Sequence, residues 1–355
     1  MIVAIGYQVS VATYDIGVCY GMQGNDLPAA TDVIGMYTKY GIEKLRLFDP
    51  VPAALEALKG SRIKVTLGVR NQDLPNLAAS QDGANSWYTT NVAPYVNDVE
   101  ISYIAAGNEA IPGEFSQYIA PAMQNLRAVL DANKMAGIEV TTVVSTAILG
   151  TSYPPSNGVF SAEVAAGMTD ILKALSSGGS SSSLMLNVYP YFAYAADPAN
   201  VRLDYAQFTA IGPVVQDGNL SYSNMFDAIV DAFYWAMEKA GVTDIDIAVS
   251  ESGWPSAGNG NFTTPTLAAT YNKNFINHVM KNGTPKRPQT YMDAYVFAMF
   301  NENLKTAVQG VEQPPLPEEP ALVFPDLPAN PPVSAEDDVI VQLEPAPELD
   351  AEPTV

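Results

Sequence analysis

The sequence predicts a single-domain α/β fold, a (β/α)8 barrel of the TIM type, followed by an acidic, Pro-rich tail. Three observations predict it. Eight short apolar runs rich in β-branched residues recur along the chain, and seven stretches of helical periodicity separate them. The roughly 285 residues from Ile16 to Asn303 suit a fold that typically takes about 250 and grows by loop insertion. A doubly wound open sheet shows the same alternation, but no Gly-x-Gly-x-x-Gly follows the first run to favour it.

Taken in order, the first run is Ile16 to Tyr20. Asp26-Leu27-Pro28 then opens a helix that ends near Gly41. The second run, Lys44 to Phe48, leads into a short helix from Pro52 to Leu58. The third, Ile63 to Val69, is followed by helical stretches at Asp73 to Ala79 and Ala84 to Tyr95. The fourth, Ile101 to Ala106, ends in Gly107-Asn108-Glu109 and precedes a long helix, Phe115 to Met135. The fifth is Glu139 to Ser145, with a helix near Glu163 to Leu175, and the serine-rich Ser176 to Ser183 reads as an exposed connector. The sixth, Leu184 to Tyr189, passes through an irregular aromatic-rich stretch to a helix from Ser223 to Ala240. The seventh, Ile245 to Val249, precedes a helix from Pro265 to Met280, and the eighth is Ala294 to Phe300.

Composition narrows the function. A formal charge of -21 argues against nucleic acid and against anionic membrane surfaces, both of which want Lys and Arg. Cys19 and His278 are the only residues of their types, which excludes an intrachain disulfide and argues against a structural zinc site and a histidine-based triad. Cys19 is expected as a small buried hydrophobe and His278 as a surface helix residue. No stretch reaches the roughly 18 to 20 apolar residues that span a bilayer. Residues 1–15 form an N-terminal extension whose apolar part carries no Lys or Arg and is broken by Gly6 and Gln8, a poor signal peptide and at most the remnant of one. Asn-x-Ser/Thr sequons at Asn219, Asn261 and Asn282 suit a secreted chain. After Lys305 no Lys or Arg recurs, while eleven acidic residues and many prolines do. Residues 16–312 are therefore assigned to the barrel and residues 313–355 to a disordered tail.

In a βα barrel the site lies at the carboxyl ends of the strands, so the residues there are the ones to compare. They are Tyr20, Phe48, Asn108, Glu109, Tyr189, Phe192, Glu251, Trp254, Asn301, Glu302 and Lys305. Carboxylates, amides and aromatic rings with few cations line a carbohydrate cleft: rings stack on sugars, amides bond hydroxyls and two carboxyl groups do the chemistry. A metal centre would want His or clustered Asp, and a phosphate site a glycine-rich loop with Lys. Glu251 in Ser-Glu-Ser-Gly-Trp-Pro-Ser follows an apolar strand, where an ionised group must be hydrogen-bonded, paired or functional. With Glu109 after the fourth strand it can form a pair about 5 to 5.5 Å apart that supports retaining glycoside hydrolysis.

These residues carry a resemblance. IGVCYGMQGNDLP (16–28), YIAAGNE (103–109), NVYPYFAY (187–194), VSESGWPSAG (249–258) and FAMFNENLK (297–305) resemble the plant endo-β-1,3-glucanases of glycoside hydrolase family 17. The resemblance implies a monomeric, secreted enzyme (extracellular, cell wall or vacuole) that acts on β-glucan without metal or cofactor. It implies Glu109 as proton donor, Glu251 as nucleophile and Asn108 as partner of the sugar 2-hydroxyl. Glu302 and Lys305 would stand beside that pair, with Arg46 beneath the cleft as an ion-pair partner for a carboxylate. Tyr20, Phe48, Tyr189, Phe192 and Trp254 are the expected substrate-binding residues. Two departures stand out. Phe48 replaces the family's usual Tyr, and the segment that closes the barrel reads VEQPPLPEEPALVFPD, in which Glu312 takes the family's Glu position but Gly-Leu-Phe is missing. That ending motivates an alternative expectation, a catalytically weakened β-glucan-binding protein on the same barrel.

Overall fold

Eight parallel strands close into a barrel in which each pairs with its sequence neighbours: β1 (Ile16–Tyr20), β2 (Lys44–Leu47), β3 (Lys64–Val69), β4 (Glu100–Asn108), β5 (Glu139–Val144), β6 (Ser183–Asn187), β7 (Asp246–Ser252) and β8 (Ala294–Val296). Pairing of β8 with β1, through Ile16 opposite Ala294 and Val18 opposite Val296, completes the ring. The computed structural model describes residues 16–177, 183–288 and 290–305. The N-terminal extension, residues 178–182 of the serine-rich connector, Glu312 and the acidic tail lie outside them.

The helices follow the strands: α1 (Ala30–Lys39), α2 (Pro52–Leu58), α3 (Leu74–Ala79), α4 (Gln81–Asn91), α5 (Ser116–Ala132), α6 (Ala165–Ser177), α7 (Pro190–Ala196), α8 (Leu203–Ala206), α9 (Met225–Lys239) and α10 (Pro265–Val279). Local chemistry explains several boundaries. Asn224 caps α9 through the Asp227 amide, Thr264 caps α10 through the Leu267 amide, and proline occupies the first turn of α2 and α10. The helix expected from Asp26 begins at Ala30 instead, because Ala29 at its N-cap holds a non-helical backbone (φ -59°, ψ 144°). The eighth strand ends at Val296 rather than Phe300, and the Phe297–Ala298 peptide that follows is cis. Two small hairpins, Leu149–Thr151 with Val159–Phe160 and Val215–Asp217 with Leu220–Tyr222, were not legible, being too short to show a period of two.

The strands are buried on both faces, and their alternation sorts the residues into two compartments. Outward residues such as Val18, Tyr20, Leu45, Leu47, Ile104 and Ala106 join the main core between barrel and helices. Inward residues Tyr103, Ala105, Val143, Met185 and Ala248 fill the bore. A third cluster holds Cys19, Tyr295, Phe297 and Ala298, with Phe48 and Tyr189 packed against it. Cys19 is fully buried, as expected. His278 is not a surface residue: its ring is half-buried, bonds the Asp227 carboxylate at 2.7 Å and packs against Phe208.

The lower bore contains a charged layer. Lys44 pairs with Asp293 and donates to the Tyr291 hydroxyl at 2.7 Å, while the Tyr103 hydroxyl donates to Asp293 at 3.0 Å. Burial alone would raise the Asp293 carboxyl, but the Lys44 charge and the donors around it prevail and hold it below the ordinary range. A depressed carboxyl contributes stability that is present above its unfolded value, about 3.9, and lost as pH falls through the lower folded value. Asp293→Asn, which strips a buried lysine of its counter-charge, is therefore expected to cost about 3–5 kcal/mol near pH 7. The gap in melting temperature from wild type should narrow below about pH 4; a pH-independent gap would contradict this account.

Candidate active site

The upper end of the bore is organised by Arg46, two residues along β2 from Lys44 and on the same inward face. Its guanidinium is buried, and Nη1 donates to Glu251 Oε1 at 2.6 Å and to the Ser250 carbonyl at 3.0 Å. Nη2 donates to Asn108 Oδ1 at 2.7 Å. Two residues further, the Phe48 ring lies against the guanidinium, 4.4 Å from centroid to carbon. One inward row of β2 thus touches the ends of both β4 and β7.

Those ends are irregular, and the irregularity positions the carboxylates. In β7 the register slips between Val249 and Glu251, so Ser250 and Glu251 both reach the site instead of alternating across the sheet. In β4 it slips between Ala105 and Asn108. Gly107 takes a φ of 80° and Glu109 one of 48°. A left-handed glutamate is uncommon and strained, a feature that clusters at functional sites. Asn71 clamps the neighbouring backbone: its Oδ1 accepts from the Asn108 amide at 2.9 Å and its Nδ2 donates to the Asn108 carbonyl at 3.0 Å.

The two glutamates have different surroundings. Glu251 is buried, paired with Arg46 through one oxygen and accepting the Tyr189 hydroxyl at 2.7 Å through the other. Glu109 is open to solvent and accepts from Asn187 Nδ2 at 2.7 Å. Crowding by protein and the negative charge of Glu251 push the Glu109 carboxyl above its ordinary value, against the Asn187 bond and the Arg46 and Lys305 charges.

Glu302 lies beside this pair. It is buried, accepts from the Gln23 amide at 2.9 Å and pairs with Lys305 at 3.6 Å. Gly21 makes room for it, since a Cβ there would meet the Glu302 carboxyl at 2.2 Å. Lys305 also sits 4.8 Å above the Phe297 ring, which packs edge-on against Phe48 and Tyr189. Among the described residues no group of three or more His, Cys, Asp or Glu side chains is placed to hold a metal ion.

Residues 16–314 match the family model for glycosyl hydrolases family 17. The chain belongs to that family. It is 50% identical over 304 residues to probable glucan endo-1,3-beta-glucosidase BG4 of Arabidopsis thaliana, covering 85% of this chain and 87% of that protein. Its fold is similar to that of CJP38, a beta-1,3-glucanase and allergen of Cryptomeria japonica pollen, with a TM-score of 0.80 and 44% identity over 89% of this chain and 98% of that one. It is also similar to a chain from the structures of two plant beta-glucan endohydrolases with distinct substrate specificities, with a TM-score of 0.78 and 46% identity over 82% of this chain and 93% of that one.

In this family 17 chain the site brings together Asn108, Glu109, Tyr189, Glu251, Glu302 and Lys305, with Phe48 against Arg46. Phe192, 40% exposed, packs against Tyr189 and Tyr191. Tyr20 and Trp254 differ from the expected lining, since each is only 1% exposed. Tyr20 is one residue out of phase with inward Cys19 and faces the helices, where it meets Phe300. Trp254 is enclosed by Tyr191, Tyr194 and Tyr271 and donates to the Phe262 carbonyl at 2.8 Å, so it braces the wall from behind. The family match runs past Lys305 and spans Glu312. Sequence reasoning did not single out Asn187 or Ser250, the first at the end of an apolar strand and the second hidden by the β7 bulge.

Proposed function

We propose that this protein hydrolyses internal β-1,3-glucosidic linkages of β-glucans with retention of configuration. Glu251 attacks the anomeric carbon, and Glu109 first protonates the leaving oxygen and then deprotonates the incoming water. The observation that carries this reading is the unequal treatment of the two carboxylates. Glu251 is held by a cation and a hydroxyl, which suits a group that must stay an anion until it bonds carbon. Glu109 is raised by protein crowding and by Glu251, so it keeps its proton to higher pH than a free glutamic acid and can act as donor. Asn108, oriented by Arg46 and Asn71, is assigned to the sugar 2-hydroxyl, and Phe48, Tyr189 and Phe192 to the subsites. Linkage choice follows the names of the Arabidopsis and Cryptomeria relatives.

The expected spacing of the two carboxyl groups is about 5 to 5.5 Å. The test is digestion of laminarin followed by proton NMR, with solution viscosity measured alongside. Early appearance of the β-anomer, with viscosity falling ahead of reducing-end release, supports a retaining endo-enzyme. Early α-anomer would mean inversion. Binding of laminarin without release of reducing ends would favour the glucan-binding alternative. A monomeric, secreted or vacuolar protein fits this substrate, and the sequon residues Asn219, Asn261 and Asn282 are all exposed.

A further inference from the structure

We infer that Ser250 and Asn187 form a directed hydrogen-bond relay that positions Glu109, with Asn187 as the residue that bridges the acid/base to the Arg46–Glu251 pair. The inference rests on the acid/base reading of Glu109 and adds residues to which that reading gives no part. Asn187 is 3% exposed. Its Nδ2 donates to Glu109 Oε1 at 2.7 Å and lies 3.3 Å from Asn108 Oδ1. Its Oδ1 accepts the Ser250 hydroxyl at 2.8 Å and faces Arg46 Nη1 at 3.5 Å.

The network leaves this amide one orientation. A guanidinium only donates, so Arg46 marks its neighbour on Asn108 as the carbonyl oxygen, and that oxygen accepts from an N–H of Asn187. The other end of Asn187 must then be its oxygen, which is where Ser250 donates. Reversal would set the Asn187 oxygen against the Asn108 oxygen and a carboxylate, and its NH2 against Arg46. The polarity of the whole chain therefore originates at Arg46 and Ser250 and ends as an N–H aimed at Glu109.

Register makes the relay possible. Asn187 is the strand partner of Glu251 across the β6–β7 pair, and the bulge turns Ser250 inward beside it. The charged and titratable groups that act on Glu109 are Glu251 on β7, Arg46 on β2, Lys305 after β8 and Tyr189 after β6. None of these replaces the Asn187 bond, which favours the ionised form of Glu109. Losing that bond raises the carboxyl further and frees the side chain to rotate.

The test uses Ser250→Ala, Asn187→Ala and the double variant, each assayed for kcat/KM against pH on laminarin and on a dinitrophenyl β-glycoside, whose leaving group needs no proton. Loss of a net hydrogen bond predicts a drop on laminarin of about 2- to 10-fold for Ser250→Ala and about 10- to 100-fold for Asn187→Ala, which removes a bond to a charged group. The aryl substrate should be nearly unaffected, the alkaline limb should move to higher pH in both single variants, and the double variant should be no worse than Asn187→Ala, as members of one chain behave. An unmoved alkaline limb, equal losses on both substrates, or additive losses would overturn the relay. Azide rescue of Glu109→Ala keeps this separate from the underlying reading: rescue with an unmoved limb removes the relay alone, whereas absence of rescue removes the acid/base role itself. Ser250→Ala, a buried hydroxyl deletion that leaves the Ser250 carbonyl in place for Arg46, keeps the test open if Asn187→Ala does not fold.

Discussion

Glu251→Gln is expected to lose about 10⁴-fold or more of kcat/KM on laminarin, the scale on which removal of a single attacking group acts. The amide has the shape of the carboxylate, and its oxygen can still accept from Arg46 while its NH2 donates to the Tyr189 oxygen, but it cannot form the covalent glycosyl intermediate. Isothermal titration with a laminari-oligosaccharide should show that binding persists, which separates lost chemistry from lost fold. Because the substitution also leaves the Arg46 charge without its partner, a lower melting temperature is expected. Activity within tenfold of wild type would remove Glu251 from the nucleophile role.

Glu109→Ala is expected to fall by about 10²- to 10⁴-fold on laminarin, the usual contribution of a general acid, and by far less on a dinitrophenyl glycoside. Azide should then restore turnover and yield a β-glycosyl azide, because a small anion can attack the intermediate without a general base. The pH dependence supplies a second check. In wild type the donor is lost as pH rises through a Glu109 value that crowding and Glu251 have raised, so kcat/KM falls on the alkaline side. In the variant that limb should flatten. A persisting alkaline limb would assign it to another group.

The barrel was legible because its strands are buried on both faces and therefore read as continuous apolar runs, as in Ile245 to Val249. The carboxylates were legible because charge at the end of such a run is conspicuous. Phase was harder to read. Listing strand-end residues placed Tyr20 in the cleft, whereas the period of two sends Cys19 inward and Tyr20 to the helix layer. Bulges defeat that period altogether: Ser250 and Glu251 face the same way only because β7 slips, and no local pattern announces it. Asn187 ends an apolar strand with nothing to mark it, and the His278 partnership with Asp227 spans 51 positions, beyond any periodicity argument. Trp254 sat beside Glu251 in sequence, but its indole was claimed by aromatic packing from α7 and α10.

The inward row of β2 has a consequence for assembly of the chain. Lys44 meets Asp293 near the floor, Arg46 meets Glu251 near the mouth and Phe48 caps the row, while Leu45 and Leu47 face the helices. A slip of one residue between β2 and its neighbours would turn both cations into the apolar helix layer and both leucines toward Asp293 and Glu251. Such a mispaired barrel would bury two unpaired charges and leave two acids without counter-ions. The ion pairs that line the inward row thus also select the register: one slip would break the Lys44–Asp293 and Arg46–Glu251 pairs together.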